Sequence, residues 1–185
     1  MGENLIAAFL GIATWSLAEY LLHRFLGHDK RTWPNAFATE HIRHHSQGDY
    51  FAPTYKKAGA ALGALALVLP LAAWLVGWHH GAVFSGAFVA MYVTYEALHR
   101  RAHTHPGVGA YGKFLRRHHF HHHFGNPKSN HGVTSPIWDW AFGTLEPSTR
   151  VRVPEKLAMA WLLDPTTGDV RTEFTGAYEL ARKRA

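Results

Sequence analysis

The sequence has no cysteine among its 185 residues, and only 17% of them are charged. Without cysteine the chain can form neither a disulfide framework nor a thiolate metal site. The charged share is below the value of about 25% typical of soluble domains. The sequence also lacks a Gly-x-Ser-x-Gly segment, a phosphate-binding loop and a recognised nucleic-acid-binding motif. We therefore expect no protein nucleophile and, despite the net charge of +6, no nucleic-acid partner.

Long apolar runs are abundant instead. Three of them could cross a membrane as helices, at residues 5–22, 58–78 and 82–98. Each has about 17–21 residues and would cover roughly 25–31 Å, close to the thickness of a bilayer's hydrocarbon core. Pro70 predicts a kink in the second run, and residues 79–81 predict a tight turn between the second and third. The first run has no basic leader or cleavage site, so we interpret it as a retained span.

The basic residues predict an orientation. Positions 1–4 and 79–81 contain no lysine or arginine. The opposite ends of the three runs carry Arg24, Lys30, Arg31, Arg43, Lys56, Lys57, Arg100, Arg101, Lys113, Arg116 and Arg117. Because basic loops stay in the cytoplasm, residues 23–57 and 99–185 should form a cytoplasmic cap, in a bacterial inner membrane or an ER-type membrane. We predict an all-α integral membrane protein with a single domain over residues 1–185.

Histidine is the second abundant feature, with sixteen residues. Ten of them form four clusters on the predicted cytoplasmic side: His23 and His28; His41, His44 and His45; His99 and His103; His119, His122 and His123. Residues three and four apart are neighbours on a helix, so each of the last three clusters should share one helix face. Five residues separate His23 from His28, too far for one face of a regular helix, and Gly27 predicts that the helix ends there.

Ten imidazoles exceed what one ion can bind, so the clusters predict two metal ions. Imidazole suits zinc, copper, iron and nickel alike. Three nearby carboxylates, Glu19, Glu40 and Glu96, could accept the free ring N–H of a ligand and fix its orientation. The alternative is that these acids pair with Arg24 or Arg100 at the membrane interface.

The remaining histidines and the C-terminal part are less informative. His79, His80 and His131 are typical background histidines. We predict a helix over residues 118–124, an aromatic interfacial segment over 136–142, a short amphipathic helix over 154–163 and a polar tail from Gly168.

The clusters resemble those of a known family. Residues 19–28, 41–45, 95–103 and 119–123 are similar, in order, to the four histidine boxes of the fatty acid hydroxylase superfamily, which includes sterol desaturases. Residues 132–144 are similar to the stretch that follows the boxes in fatty acid 2-hydroxylases. The resemblance therefore extends over residues 15–144.

This resemblance implies a di-iron, O2-dependent oxidoreductase that hydroxylates a fatty-acyl chain of a membrane lipid. Zinc could replace iron in purified protein. The resemblance implies that all ten clustered histidines bind metal, that Asp139 joins Glu19, Glu40 and Glu96 in supporting them, and that no catalytic residue is needed beyond the metal centre. It also implies a separate cytochrome b5-like or ferredoxin-like electron donor. His105, His118 and His121 flank the boxes outside the family pattern, so we expect them to be dispensable.

Three alternatives remain open at this point. A carotenoid hydroxylase of the β-carotene type is similarly short and rich in histidine, although its third box usually has four residues between the histidines, where His99 and His103 have three. A sterol oxidase or desaturase of the same superfamily is the second. The third is a membrane metal-binding or transport protein, whose ligands usually lie near the membrane midplane.

Overall fold

The computed structural model describes residues 1–182. Its helices and strands are α1 Gly2–Leu21, a π-helical segment Leu22–Gly27 that continues α1, α2 Ala36–Gln47, α3 Thr54–Val76, α4 Trp78–Thr104, α5 Gly109–Phe124, α6 Ile137–Ala141, β1 Val151–Pro154 and β2 Tyr178–Ala181. The chain divides into an apolar unit of residues 1–19 and 52–97 and a histidine unit of residues 20–51 and the chain from Leu98 onward. Residues 183–185 of the predicted cap and polar tail lie outside the described residues.

Three helices are long and apolar enough to cross a membrane, one for each predicted run. They are Gly2–Gly27, Thr54–Val76 and Trp78–Thr104. The second has a mean hydropathy of 2.2, and none of its apolar window is buried within the chain. Leu67 and Trp74 on it are 76% and 80% exposed. A helix that is apolar all round and uncovered by protein is typical of contact with lipid.

The connection between α3 and α4 differs from the prediction. It lies at Gly77, whose φ of +80° favours glycine, and the predicted turn at residues 79–81 is wrong because these residues belong to α4. Gly81 has a packing role instead. A Cβ there would lie 2.5 Å from the Ala73 backbone nitrogen of α3. Only glycine allows the two helices to approach this closely.

The C-terminal part of the histidine unit contains a small parallel sheet. β1 pairs with β2, with Val151 opposite Tyr178, and Val151 packs in a buried core against Phe120 of α5. The prediction of an all-α protein is wrong here, as is the helix over residues 154–163, where the structure has only a 3-10 turn at Glu155–Leu157. In the sequence, Trp161 and its apolar neighbours have the spacing of an amphipathic helix. In the structure they belong to the crossover connection that joins the two parallel strands, and they pack into the core.

Two of the helices predicted to carry histidine clusters are present, and both are longer than the predicted segments. α2 begins after Asn35, whose side chain accepts a hydrogen bond from the Ala38 N–H at 2.8 Å and caps the helix. α5 contains the predicted segment 118–124 but begins nine residues earlier, at Gly109. Both helices belong to the histidine unit. This unit, with residues 20–51 and the chain from Leu98 onward, contains all ten clustered histidines.

Candidate metal centre

The ten clustered histidines lie in two groups of five. In each group the nearest ring nitrogens are all within 4.8 Å of one another. Group A consists of His23, His28, His41, His45 and His122, and group B consists of His44, His99, His103, His119 and His123. The structure thus brings together every histidine that the sequence nominated.

Each His-x-x-His-His cluster is divided between the groups, so the expectation that its three rings share one face is wrong. On α2, His41 and His45 lie in group A with ring centroids 4.5 Å apart, while His44 lies in group B. Consecutive residues on an α-helix differ by about 100°, which turns the middle ring toward the other group.

α5 repeats this division with the groups exchanged. His119 and His123 lie in group B with ring centroids 4.4 Å apart, and His122 lies in group A. Each group therefore receives one pair four residues apart from one shared helix and a single histidine from the other.

The remaining pair of group B comes from α4, and that of group A from the π-helical segment. His99 and His103 are four residues apart on α4, with ring centroids 5.4 Å apart. His23 and His28 are five apart, yet their rings are only 5.2 Å apart. A π-helix bonds residues five apart and so places them one turn apart. The helix ends at Gly27 as predicted, with His28 as its C-terminal capping residue, but its last turn is π-helical.

Backbone carbonyls fix the orientation of three rings. The Nδ1–H of His23 donates to the His131 carbonyl at 2.5 Å, that of His44 to the Tyr50 carbonyl at 2.6 Å, and that of His122 to the Ser129 carbonyl at 2.7 Å. Such bonds leave Nε2 as the nitrogen that can bind a metal. Residue identities gave no signal for these partners, because any residue supplies a carbonyl.

The carboxylates predicted to support the ligands contact other groups. Glu40 accepts a hydrogen bond from the Tyr50 hydroxyl, which lies beside the carbonyl that holds His44. Glu96 forms an ion pair with Lys57 within the apolar unit. Glu19 is buried and is the last residue of the first segment of that unit. For Glu96, an ion pair with Lys57 therefore takes the place of the alternative pairing with Arg24 or Arg100.

Asp139 is the exception, because it anchors the loop that supports group A. This fully buried carboxylate accepts hydrogen bonds from the backbone N–H groups of His131 and Gly132, each at 2.8 Å, and from the Thr144 hydroxyl at 2.7 Å. His118 Nε2 lies 3.1 Å from it. Burial would raise the Asp139 pKa, but these hydrogen bonds hold it below its ordinary value.

The loop itself leaves little freedom. Asn130 has a φ of +57°, a left-handed conformation, and its side chain bonds the backbone N–H and carbonyl of Glu146 at 2.8 Å each. A Cβ on Gly132 would lie 2.1 Å from the Ser135 carbonyl oxygen. A strained residue between fixed neighbours is typical of functional sites.

Burial keeps the imidazoles neutral. It lowers the pKa of His28 to about 4 and that of His45 to about 2, with neighbouring histidines adding to the shift. The pKa values of His119, His122 and His123 are lowered well below the ordinary value for the same reasons. Neutral imidazole is the form that binds metal ions.

The donor set fits metal ions. Two nitrogens about 2.0–2.1 Å from one ion are roughly 2.8–3.4 Å apart. Three Nε2 pairs approach this separation: His23 with His41 at 3.1 Å, His28 with His41 at 2.7 Å, and His103 with His119 at 2.9 Å. Within the described chain, the buried Nε2 atoms of His45 and His122 have no hydrogen-bond partner. Nitrogens of this kind would otherwise be costly to bury.

The other six histidines are divided between the two units. His79 and His80 lie in the apolar unit and contact Asn4 and Glu3. His105 is exposed, and His121 lies 3.1 Å from a carboxylate oxygen of Glu146. His118 and His131 are buried in the histidine unit, at 4% and 2% exposure. From the sequence we interpreted His131 as a background histidine, yet its ring centroid lies 5.2 Å from that of His122.

The chain has two interleaved groups of five histidines and three helices that could span a membrane. These features define a membrane protein whose histidines could bind metal ions. The family model for fatty acid hydroxylase matches residues 8–144. The chain belongs to the fatty acid hydroxylase family.

Similar proteins point in the same direction. The chain is 36% identical to a fatty acid 2-hydroxylase of Macaca fascicularis, over 75% of this chain and 39% of that protein. It is 34% identical to the ceramide very long chain fatty acid hydroxylase scs7 of Schizosaccharomyces pombe, over 75% of this chain and 42% of that one. A solved structure of full-length scs7p, in which only the hydroxylase domain is visible, superimposes with a TM-score of 0.60 at 30% identity, covering 77% of this chain and 57% of that chain. The chain thus spans about two fifths of the length of these two curated relatives.

Proposed function

We propose that this protein is an O2-dependent, non-haem di-iron monooxygenase that hydroxylates a fatty-acyl chain of a membrane lipid at the carbon next to the carbonyl group. The observation that carries the proposal is the division of ten histidines into two five-nitrogen groups on shared helices. Two ions bound close together could act jointly in the reduction of O2, whereas a single structural ion needs only four ligands. The names of the similar proteins support the acyl substrate.

The protein's own part is to hold and shield the centre. Ions bound by groups A and B would supply the redox chemistry that reduces O2 and oxidises a C–H bond, with two electrons from a separate cytochrome b5-like or ferredoxin-like donor. The carbonyls of Tyr50, Ser129 and His131 hold three ligand rings in place. Phe51 and Phe120 pack against His103 of group B, with ring centroids 5.6 and 5.1 Å away, and exclude water there.

We place the metal centre on the cytoplasmic side of the membrane. The basic residues that flank the apolar runs support this orientation. α6 supports a location at the interface, because Ile137, Trp140 and Phe142 are 54%, 72% and 48% exposed and form an apolar surface beside the histidine unit's polar segments. In this arrangement the substrate reaches the centre from the bilayer.

The test is lipid oxidation in membranes that contain the protein, O2, labelled saturated fatty-acyl lipids and either donor system with its reductase. We expect a 2-hydroxyacyl product by mass spectrometry, and none from membranes containing His122→Ala. Oxidation of β-carotene or a sterol in place of acyl lipids would replace the substrate proposed here. If iron-loaded protein oxidises none of these lipids with either donor, the monooxygenase proposal fails.

Metal analysis tests the dinuclear part separately. Protein purified without an immobilised-metal step should contain two ions per chain, with iron as the physiological metal. Zinc can replace it during overexpression because zinc binds such nitrogen sites more tightly than Fe(II). A reproducible content of one ion or fewer would contradict the two-metal proposal.

A further inference from the structure

His118 lies on the face of α5 that also carries His122 of group A. The two residues are four apart on this helix, so their side chains are neighbours. His122 donates to the Ser129 carbonyl at 2.7 Å, whereas the ring of His118 lies 3.1 Å from a carboxylate oxygen of Asp139. α5 is therefore bonded to the loop at residues 129–132 directly through His122 and, by way of Asp139, through His118.

The two oxygens of the Asp139 carboxylate are bonded in the same way. Oδ1 accepts from the His131 backbone N–H at 2.8 Å and from the Thr144 hydroxyl at 2.7 Å. Oδ2 accepts from the Gly132 backbone N–H at 2.8 Å and from the His118 Nε2–H at 3.1 Å. The side chains of His118 and Asp139 are 2% and 0% exposed. Loss of the imidazole would therefore leave a buried carboxylate oxygen short of one donor, which is unfavourable.

Through Asp139, His118 can act on the ring of His23. Asp139 fixes His131 by its backbone N–H, and the carbonyl of His131 accepts a hydrogen bond from the His23 ring at 2.5 Å. On its other side Asp139 is bonded to Thr144, whose hydroxyl lies 2.9 Å from that of the buried Tyr20. The carboxylate is thus the point at which α5, the loop and the helical segment that carries His23 are joined.

We propose that His118 is a positioning residue for group A, which fixes the carbonyl that orients His23 by donating its Nε2–H to Asp139. The proposal rests on the proposed function, since it assumes that group A binds an ion. It reverses the expectation from the sequence that His118 is dispensable because it falls outside the family pattern.

Two substitutions at this position separate the hydrogen bond from the packing of the ring. His118→Phe keeps an aromatic ring beside Phe114, whose centroid is 5.7 Å away, but removes the donor. His118→Gln restores an N–H about as far from the backbone as Nε2. Should His118→Phe not fold, His118→Leu also lacks the donor and takes its place.

Metal release is the first measurement. The full-length protein is loaded with Co(II), and loss of each ion to a chelator is followed by visible absorption, with His28→Ala and His103→Ala assigning the bands to groups A and B. We expect release from group A to be about 10-fold faster in His118→Phe, near the wild-type rate in His118→Gln, and unchanged for group B in both. Release as fast in His118→Gln as in His118→Phe would overturn the proposal.

A double-mutant cycle with Asp139→Asn distinguishes positioning from packing. If His118 acts through the carboxylate, His118→Phe should accelerate release little further once Asp139 is replaced. The same acceleration in both backgrounds would overturn the proposal. His105→Phe is the matched control, because His105 is exposed in the same unit, and it should reproduce the wild-type release rate.

Hydrogen exchange of the chelated protein tests the positioning without a bound ion. The amides of His131 and Gly132 donate to Asp139, so peptides that cover residues 130–132 should exchange about 10-fold faster in His118→Phe than in His118→Gln. Equal exchange in the middle of α5 serves as the control for folding. Unchanged exchange at residues 130–132 would overturn the role of His118. Faster exchange in a protein that oxidises no lipid when loaded with iron would support this role and overturn only the proposed function.

Discussion

Groups A and B both consist of histidines, but the two groups lie on different types of secondary structure. Group B takes two pairs from regular α-helices, His99 with His103 and His119 with His123. Group A has one such pair, and its other pair, His23 with His28, depends on a π-helical segment. Four members of group B are buried but only two of group A.

The supports differ in the same direction. Group A relies on the loop at residues 129–132, whose carbonyls hold His122 and His23 and whose conformation depends on Asp139. Group B lies among helices, with Phe51 and Phe120 beside it. Regular helices are stabilised by their own hydrogen bonds, whereas a loop and a π-helix need tertiary contacts. Group A should therefore be the more easily disturbed of the two.

Removal of one ligand from either group should have the largest effect. We expect His122→Ala in group A and His119→Ala in group B each to reduce hydroxylation by more than about 100-fold, above the losses usual for residues that only support a ligand. Metal content should fall toward one ion per chain in both variants. Product formation and metal analysis on the same preparations provide the measurement. Full activity in either variant would contradict the site assignment.

Asp139→Asn should separate the two groups. The amide cannot accept all the hydrogen bonds that the carboxylate receives from His118, His131 and Thr144. We expect metal release from group A to accelerate by about 10- to 100-fold, with group B unchanged. Equal acceleration for both ions would show that Asp139 supports the whole unit and that the groups are not independent.

Metal removal should sharpen the comparison at the level of the backbone. In chelated protein we expect amides of residues 22–28 and 130–132 to exchange with solvent about 10-fold faster or more, because bound ligands stabilise only the folded arrangement. Amides in the middle of α3 should change little. Hydrogen exchange with mass spectrometry resolves these segments. Equal protection with and without chelator would mean that the backbone of group A is preformed.

The smallest effect is expected from the histidines of the apolar unit. His79→Ala and His80→Ala remove contacts with Asn4 and with the exposed Glu3. Both variants should retain two ions and nearly wild-type activity, since exposed pairs contribute little. Loss of metal in either variant would require a histidine site outside groups A and B.

Sequence reasoning succeeded where a local pattern sets the structure. The apolar runs predict the three long helices, and helical spacing predicts that His41 and His45, or His99 and His103, point the same way. Spacing alone could not assign His44 and His122 to one group or the other, because that depends on where the neighbouring helices lie.

Tertiary contacts account for the rest. Backbone carbonyls, which orient His23 and His44, leave no trace in residue identity. His131 was overlooked because it stands alone in the sequence, and only the fold brings it beside group A. The prediction of a helix around Trp161 failed because the spacing of its apolar neighbours resembles that of a helix, whereas in the structure they pack against a parallel sheet.

The π-helical segment also constrains how this region should be aligned with other chains. A π-turn contains one residue more than an α-turn, so His23 and His28 are equivalent in space to a pair spaced four apart. An alignment without a gap in Leu22–Gly27 would match His28 to the wrong residue of a chain with a regular helix there. Conversely, deletion of one residue between the two histidines would give the i, i+4 spacing that the other pairs already have. Chain length in this segment is thus as much a part of the metal centre as the identity of its ligands.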